Sequence, residues 1–277
     1  MSKEKYVDLE DTSTYEERVQ TALDVMKEAS ERAKAAGTPL FLNFSGGRDS
    51  SCLLLLAQKV GAEVEAIYMS SGLEIPGSIE FVKEQADKYN LKLHITDPVE
   101  DYYGDFNYWV KRFGYFPSHG YTYCSSRLKL RPSRAYLRKL YGHKEMYRVN
   151  GVRKKESTRR RAIYKNKPPI RKDGDLAGSF IVQPIQEWSS DDVDRFLAEN
   201  NFEVMKAYDT FGVSGCAYCP FYQVSIYKKI LKVYPNIYDK IIELEREIGK
   251  PSVIGNRFLG DIKEEFLREQ EENKEEG

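Results

Sequence analysis

Residues 40–50 read LFLNFSGGRDS, and the helix-like run SCLLLLA follows over 51–57. A strand, a glycine turn and a helix N-terminus in this order form an anion cradle. Glycines let the backbone approach a phosphate, and the first N–H groups of a helix have no intrahelical acceptor. Ser45 and Ser50 add hydroxyl donors, whereas Asp49 would repel a bare phosphate and therefore suggests a bridging Mg²⁺ or a capping role. Local chemistry alone leaves open an ordinary strand-to-helix turn in which Ser and Asp only cap.

The composition is that of a globular protein: 277 residues, 41% hydrophobic and 31% charged. No stretch approaches the roughly 18 consecutive apolar residues of a membrane span, and residues 1–5 lack the apolar region of a signal peptide. These features predict a cytoplasmic protein with no membrane partner. In that compartment, four cysteines favour metal binding or catalysis over disulfides.

Strand-like and helix-like patterns alternate along the first 150 residues. We predict strands at 40–44, 63–69, 91–96 and 145–149, with helices at 49–60, 77–90 and 132–140. Such alternation with short connections is typical of an α/β fold, with a doubly wound, mostly parallel sheet and helices on both faces. The cradle would then lie at the C-terminal end of the first strand, where ligands bind in such sheets. We divide the chain into an N-terminal helix (1–38), a nucleotide-binding α/β domain (39–200) and a cysteine-containing helical C-terminal region (201–277).

Other segments are less regular. The spacing of apolar residues predicts a helix over 13–36, with Ser13 and Glu16 as a capping box. Residues 102–123 hold ten aromatics, which favours neither a clean helix nor a clean strand. The basic stretch 153–175 is predicted to be a long loop. Residues 222–248 are helical in period, with a break near Pro235.

Four more motifs follow the cradle. They read Cys124-x-x-Arg127-Leu128-Lys129, Gly151-Val152-Arg153, Pro184-Ile185-x-x-Trp188 and Gly215-Cys216-Ala217-Tyr218-Cys219-Pro220. Together with the cradle they resemble, over about residues 40–238, the phosphoadenosine-phosphosulfate (PAPS) reductase family. That family belongs to the PP-loop superfamily of adenine-nucleotide α-hydrolase-like proteins.

The resemblance implies ATP, or PAPS or adenylyl sulfate, as the nucleotide, with Mg²⁺. It implies that the nucleotide is bound by Ser45, Gly46, Gly47, Arg48, Asp49, Ser50, Gly72, Gly151 and Arg153. Among these, Asp49 and Arg153 are implied to act in catalysis, together with Lys129 as a second cation. One turn departs from the family pattern: where Asp-Thr-Gly is common, this chain has Ser70-Ser71-Gly72, so nucleotide recognition there is expected to differ.

The cysteines suggest a metal or cluster site. A C-x-x-C pair such as Cys216 and Cys219 can curl around one metal or cluster. Adenylyl-sulfate reductases of the resembled family hold a [4Fe–4S] cluster on a Cys-Cys pair plus a C-x-x-C, but here Cys124 is followed by Ser125, which leaves three ligands. Certain tRNA-thiolating PP-loop enzymes are similar in this respect. A Zn²⁺ site and free buried cysteines remain as alternatives, and Cys52 is expected to be a core cysteine.

The family's reductases use a late nucleophilic cysteine, and no cysteine follows Cys219 in this sequence. The leading hypothesis is therefore an ATP-dependent, AMP- and pyrophosphate-forming sulfur transferase with a three-cysteine Fe–S site. The alternatives are a thiol-dependent, sulfite-forming PAPS or adenylyl-sulfate reductase and a non-catalytic nucleotide-binding regulatory protein.

The charge distribution points to a second partner besides a sulfur donor. Residues 127–172 contain 18 Lys and Arg against two Glu, although the whole chain has a net charge of zero. Aromatic rings interleaved with cations suit base stacking and phosphate neutralisation, so RNA or another nucleic acid is expected to bind there. The alternative is that the aromatics fill a core and the cations serve only the nucleotide. The oligomeric state stays open, with a dimer as one expectation.

Overall fold

A computed structural model describes residues 13–118, 121–213, 215–253 and 255–275, with the backbone alone for 274–275. Residues 1–12, which the sequence analysis included in the N-terminal helical region, lie outside the described residues. Within the described residues, no helix is both long and apolar enough to span a bilayer.

Six strands form one sheet in the order β3-β2-β1-β4-β6-β5. Their bounds are β1 (Leu40–Asn43), β2 (Val64–Met69), β3 (Lys92–Thr96), β4 (Met146–Val149), β5 (Ile170–Lys172) and β6 (Ser179–Val182). Strands β1 and β4 are parallel, as are β4 and β6, and β2 and β3, whereas the edge strand β5 is antiparallel to β6. Leu42 is paired with Val149, so the ends of β1 and β4 lie side by side. The mostly parallel α/β sheet expected from the sequence is confirmed.

The described residues form eleven α-helices. They are α1 (Tyr15–Ala35), α2 (Arg48–Lys59), α3 (Ser78–Lys88), α4 (Phe106–Phe113), α5 (Arg131–Tyr141), α6 (Thr158–Tyr164), α7 (Ser190–Glu199), α8 (Ala207–Phe211), α9 (Val224–Val233), α10 (Asp239–Ile248) and α11 (Leu259–Glu275). A π-helical segment, Ser125–Leu130, runs directly into α5, and a single 3₁₀ turn, Lys154–Glu156, precedes α6. The connections are short because most of the chain between strands is helical.

The first helix begins one residue later than the predicted capping box requires. Thr14, not Ser13, is the N-cap: its side chain accepts from the Glu17 backbone N–H, and Glu17 accepts from the Thr14 backbone N–H. The Ser13 carbonyl instead accepts from the Arg18 guanidinium. Two overlapping Ser/Thr-x-x-Glu frames occur here, and the helix uses the second of them, Thr14 with Glu17.

Two segments are more ordered than predicted. The stretch 153–175 is not a long loop, because Ser157 caps α6 through the Arg160 N–H at 3.2 Å and Ile170–Lys172 pairs with β6. The aromatic stretch contains α4, which Asp105 caps at its start and Gly114 ends with φ +73°. Residues 222–248 form two helices on either side of Pro235, as expected.

The chain divides into two compact units, each assembled from separate segments. The first unit holds the described residues up to Leu42 together with Arg48–Val64 and Glu145–Phe202. The second holds Asn43–Gly47, Glu65–Lys144 and Glu203–Gly277. The division into 1–38, 39–200 and 201–277 stays a prediction. In the second unit, buried side chains from the aromatic stretch join residues of α9, α10 and α11 in one core; among them are Phe106, Trp109, Phe116 and Tyr123.

Candidate functional site

The glycine turn between β1 and α2 has a conformation that only glycine fits. Gly46 has φ +71°, and a Cβ on it would lie 2.9 Å from Met205 Cε and 3.0 Å from Phe81 Cδ1. Both the positive φ and the close neighbours exclude a larger residue without displacement. The Gly47 N–H is 3.4 Å from Ser45 Oγ, so the turn is closed locally. The backbone here is held in the compact loop that the anion-cradle prediction requires.

Asp49, in the first turn of α2, forms an ion pair with Arg153. Arg153 Nε lies 2.7 Å from Asp49 Oδ1, and the Arg153 side chain is 8% exposed against 31% for Asp49. Arg153 Nη1 also donates to the Trp188 carbonyl at 3.5 Å. The predicted catalytic pair is therefore brought together, with the guanidinium fixed from two sides.

Gly151, after β4, permits this approach. A Cβ at position 151 would lie 3.0 Å from Asp49 Cβ and 3.2 Å from the Asp49 carbonyl carbon. The backbone of Gly151, after β4, thus packs directly against Asp49 at the start of α2. The role of Gly151 indicated by the structure is close packing beside the predicted phosphate site.

Arg48 is oriented differently from the other cradle residues. Its guanidinium forms an ion pair with Asp194 of α7, whose side chain is 55% exposed. Ser50 is buried. Asp49 is thus paired with another predicted site residue, Arg153, whereas Arg48 is paired with Asp194, which was not predicted to belong to the site.

The cysteine site lies in the second unit. Cys124 directly precedes the π-helical segment, and Cys216 forms an isolated antiparallel bridge with Glu74. Cys216 Sγ is 3.5 Å from Ser71 Oγ, and Lys129 lies within electrostatic reach of Cys216 and Glu74. The structure therefore joins residues from three separate segments of the chain around one thiol.

The three thiols are close enough to influence one another electrostatically. Burial, together with the neighbouring Cys216, raises the pKa of the Cys124 thiol. Burial raises the pKa of Cys219 to about 11, with further contributions from Cys216 and Cys124. Burial lowers the pKa of Lys129, but the negative charges of Cys216 and Glu74 outweigh it and hold that pKa above its ordinary value. A cation thus sits beside a group of sulfur ligands.

Among the described residues, no group of three or more His, Cys, Asp and Glu side chains is arranged to hold a metal ion. Cys52 belongs to the first unit, where it is fully buried in α2 with its Sγ 3.8 Å from the Val193 carbonyl oxygen. Burial raises the pKa of Cys52 far above its ordinary value. The expectation that Cys52 is a core cysteine is confirmed.

Sequence reasoning missed Glu74. Its carboxylate accepts from the Ser71 backbone N–H and, at 2.8 Å, from Ser71 Oγ. It thereby shapes the turn that departs from the family pattern, in which Gly72 has φ +74°. The sequence did hold a signal for Glu74: it follows the unusual Ser70-Ser71-Gly72 turn by two residues, and a carboxylate at that position can cap such a turn.

Two cavities in the second unit adjoin these residues. One, of about 220 Å³, is lined by Ser71, Gly72, Glu74, Ala217 and Tyr218, among others. The other, of about 480 Å³, is lined by Phe81 and Met205, the same side chains that flank Gly46, and by Glu80, Glu84 and Glu203. Its volume is within the range of small-molecule sites.

The basic stretch 127–172 carries less free charge than its composition suggests. Arg153 is paired with Asp49, Lys154 with Glu187, and Arg148 with the buried Asp173. These cations are committed to the fold of the first unit. Arg127 and Arg131, in the second unit, instead contact aromatic rings.

Comparison with known proteins identifies relatives. The phosphoadenosine phosphosulfate reductase domain family matches residues 39–222. An uncharacterized protein of Methanocaldococcus jannaschii, MJ0973, is 31% identical over 232 residues, which cover 82% of this chain and 53% of that protein. A second uncharacterized protein of the same organism, MJ0066, is 27% identical, over 86% of this chain and 47% of the relative. The chain thus spans about half the length of these curated relatives.

Part of the chain is similar to an enzyme of known activity. The tRNA-5-methyluridine(54) 2-sulfurtransferase of Thermotoga maritima is 33% identical over 91 residues, or 32% of this chain and 28% of that protein. Among solved structures, PAPS reductase from Candida auris has a TM-score of 0.48 at 16% identity, covering 73% of this chain and 93% of that one. The NH₃-dependent NAD synthetase of Campylobacter jejuni has a TM-score of 0.46 at 16% identity, covering 86% and 92%.

Proposed function

This chain belongs to the phosphoadenosine phosphosulfate reductase family of PP-loop proteins, and from that premise we propose that it is an ATP-dependent sulfur transferase that forms AMP and pyrophosphate. One observation carries the proposal: Cys124, Cys216 and Cys219 lie within electrostatic reach of one another and of the cation Lys129. Thiols grouped around a cation suit the handling of anionic sulfur. The partial similarity to a tRNA sulfurtransferase supports the same class of reaction.

In the proposed reaction, ATP phosphates bind at the turn of Ser45, Gly46 and Gly47 and at the first N–H groups of α2. Arg153, already fixed by Asp49 and Trp188, contacts the phosphate oxygens through its planar fork. Asp49 is the carboxylate suited to hold Mg²⁺, which would neutralise phosphate charge when bound. Binding of the nucleotide then exchanges the Asp49–Arg153 pair for contacts to phosphate.

The first chemical step forms an oxygen–phosphorus bond. A substrate oxygen attacks the α-phosphorus, and the bond to the bridging oxygen breaks, so pyrophosphate leaves with the electron pair. Backbone N–H groups of the turn and Arg153 stabilise the developing charge. In the second step a nucleophilic sulfur from the donor attacks the activated carbon, the carbon–oxygen bond breaks, and AMP leaves. We propose an RNA base as the substrate, in the cytoplasm, where thiols stay reduced.

We propose Cys124, Cys216 and Cys219 as ligands of a [4Fe–4S] cluster on their residue type and the C-x-x-C spacing alone, because the described residues do not arrange three such side chains around a metal ion. When bound, such a cluster supplies one iron without a protein ligand, at which sulfur can be held. Lys129 is proposed to act here, balancing negative charge at Cys216, in place of the pyrophosphate contact that the family resemblance implied. A Zn²⁺ site on the same cysteines is the competing assignment.

The test uses anaerobically purified protein with Mg²⁺-ATP, sodium sulfide and bulk tRNA. We expect AMP and pyrophosphate to form in equal amounts, with sulfur entering the RNA, and Asp49→Asn to abolish both products. Sulfite release from PAPS with thioredoxin, without ATP, would instead establish the reductase. A stable ATP complex with neither product would establish a nucleotide-binding regulator and overturn the proposal.

A further inference from the structure

The second unit contains a long stretch without a single acidic residue. From Phe106 to Lys144 the chain has nine Lys and Arg and no Asp or Glu. The same 39 positions hold ten aromatic residues. This stretch supplies α4, the π-helical segment and α5. Positive charge and aromatic rings are therefore concentrated in the same elements.

Part of this aromatic set is buried, but Tyr108 and Tyr121 are exposed, as is Tyr103, which precedes the stretch. Trp109, Phe116 and Tyr123 belong to the core of the second unit. In contrast, Tyr103 is 67% exposed, Tyr121 57% and Tyr108 36%. Large rings left in water on a charged protein mark a binding surface when they are contiguous.

The rings are contiguous. Tyr103 lies 5.7 Å from Tyr102 and 6.2 Å from Trp109, measured between ring centroids. Trp109 stacks on Phe113 at 5.6 Å, and Phe113 meets Tyr121 at 6.5 Å. A chain of ring contacts thus connects the exposed Tyr103 with the exposed Tyr121. We call these rings, with Tyr108, the aromatic surface.

Two guanidiniums are part of the aromatic surface. The Arg127 guanidinium lies 4.6 Å from the Trp109 ring centroid, and that of Arg131 lies 5.9 Å from the Tyr102 ring centroid. Both donate to the Tyr102 hydroxyl, at 3.1 Å and 2.8 Å. Burial raises the pKa of Tyr102, but these two hydrogen bonds outweigh it and hold the pKa below its ordinary value. Arg127 and Arg131 therefore place positive charge beside the rings, while Asp101 and Asp105 flank Tyr102 and Tyr103 in the sequence.

We propose that the aromatic surface binds single-stranded RNA, with bases stacked on Tyr103, Tyr108 and Tyr121 and phosphates contacted by Arg112, Arg127 and Arg131. Stacking on exposed rings needs unpaired bases, which excludes a continuous duplex. Exposed Tyr and Arg side chains are also enriched at protein interfaces, but the nine cations of Phe106–Lys144, with no acidic residue among them, favour a polyanion as the partner. The assignment to RNA rests on the proposed function, in which an RNA base accepts sulfur.

The experiment measures binding without ATP, using the full chain. A fluorescein-labelled 12-nucleotide RNA without self-complementarity, the same strand annealed to its complement, and the matching DNA strand are titrated by fluorescence anisotropy. We expect the single-stranded RNA to bind most tightly. The double variant Tyr103→Ala/Tyr121→Ala should weaken it roughly fivefold or more for each lost stack. The matched variant Tyr103→Phe/Tyr121→Phe keeps both rings and should stay within about twofold.

Charge is tested separately. Arg112→Gln should reduce the slope of log affinity against log salt by about one, whereas Lys232→Gln, an exposed cation on α9, should leave it unchanged. Two results would overturn the proposal that the aromatic surface binds single-stranded RNA: duplex binding as tight as single-strand binding, or an unchanged affinity in the double alanine variant. DNA binding as tight as RNA binding would overturn the assignment to RNA. Binding without AMP formation would contradict the proposed function alone, and AMP formation without binding would contradict this inference alone.

Discussion

Arg153 Nε lies 2.7 Å from Asp49 Oδ1, although 104 residues separate the two in the sequence. The pair places the cation that would contact phosphate beside the carboxylate that would hold Mg²⁺. Each neutralises the other before a nucleotide arrives, which lowers the cost of keeping either charge half-buried. The arrangement is ready to exchange one internal ion pair for contacts with an anion and a cation together.

Removing the Arg153 guanidinium should therefore impair chemistry more than stability. We expect Arg153→Gln to lower the rate of pyrophosphate release from ATP by about 10²–10³-fold, because it removes a fixed group that faces developing charge. The measurement is steady-state pyrophosphate release under saturating Mg²⁺. Asp191→Asn, an exposed carboxylate in the first turn of α7, is the control and should stay near the wild-type rate. A wild-type rate of pyrophosphate release in Arg153→Gln would show that Arg153 takes no part in the reaction.

Gly46 and Gly37 provide a matched pair of glycine substitutions. Both have positive φ, +71° and +67°, but a Cβ at position 37 would meet no atom within 4 Å. Gly37→Ala should cost about 1 kcal/mol in the free energy of unfolding through strain alone. Gly46→Ala adds the clash with Met205 and Phe81, about 1–3 kcal/mol more. Urea unfolding measures both values.

The same pair tests the cradle. Because Gly46 shapes the turn that is proposed to bind phosphate, Gly46→Ala should also abolish ATP binding in isothermal titration calorimetry. Gly37→Ala should bind ATP like the wild type. Equal ATP affinity in the two variants would show that the turn does not contact the nucleotide.

The cysteines are tested by iron content. Serine at position 124, 216 or 219 should each remove most of the iron and the absorption near roughly 400 nm from anaerobically purified protein. Cys52→Ala should keep both, since Cys52 is buried in α2 and is not one of the proposed ligands. A colourless wild-type protein containing zinc alone would refute the Fe–S assignment.

Arg18 and Asp192 predict a pH-dependent contribution to stability. Arg18 contacts both carboxylate oxygens of Asp192, at 3.0 Å and 2.8 Å. Burial raises the pKa of Asp192, but the hydrogen bonds from Arg18 and Ser189 outweigh it and hold the pKa below its ordinary value of 3.8. A lowered folded-state pKa means that the stabilisation is fully present above pH 3.8 and is lost as the pH falls through the folded-state value.

Arg18→Gln should accordingly lower the free energy of unfolding by about 1.5–3 kcal/mol at pH 7. The difference from the wild type should shrink as the pH is taken below 3.8. Arg32→Gln breaks an exposed pair with Glu28 on the same helix and should cost at most about 0.5 kcal/mol at either pH. Urea unfolding at pH 7 and below pH 3.8 measures the free energies of unfolding. A loss of stability in Arg18→Gln that is the same at both pH values would contradict the proposed stabilisation by ionised Asp192.

The sequence predicted the local elements best where a short pattern has one physical solution. The alternation of apolar runs gave β1 to β4 and the helices α2, α3 and α5 within two residues, but it did not give α4, which lies between β3 and β4. Strands β5 and β6 were not predicted, because Ile170–Lys172 is short and basic and becomes a strand only by pairing with β6. The cap of α1 was misplaced by one residue, because two Ser/Thr-x-x-Glu frames overlap and the sequence pattern fits both of them equally.

The phosphate turn and the three cysteines were evident from the sequence because glycine spacing and C-x-x-C spacing have a direct chemical meaning. The partners of these residues were not. Which carboxylate pairs with Arg153, which cation lies beside Cys216 and which side chains crowd Gly46 depend on segments far apart in the chain. Local spacing encodes backbone geometry, whereas ion pairs and close packing arise only when the chain folds and distant segments exclude water together.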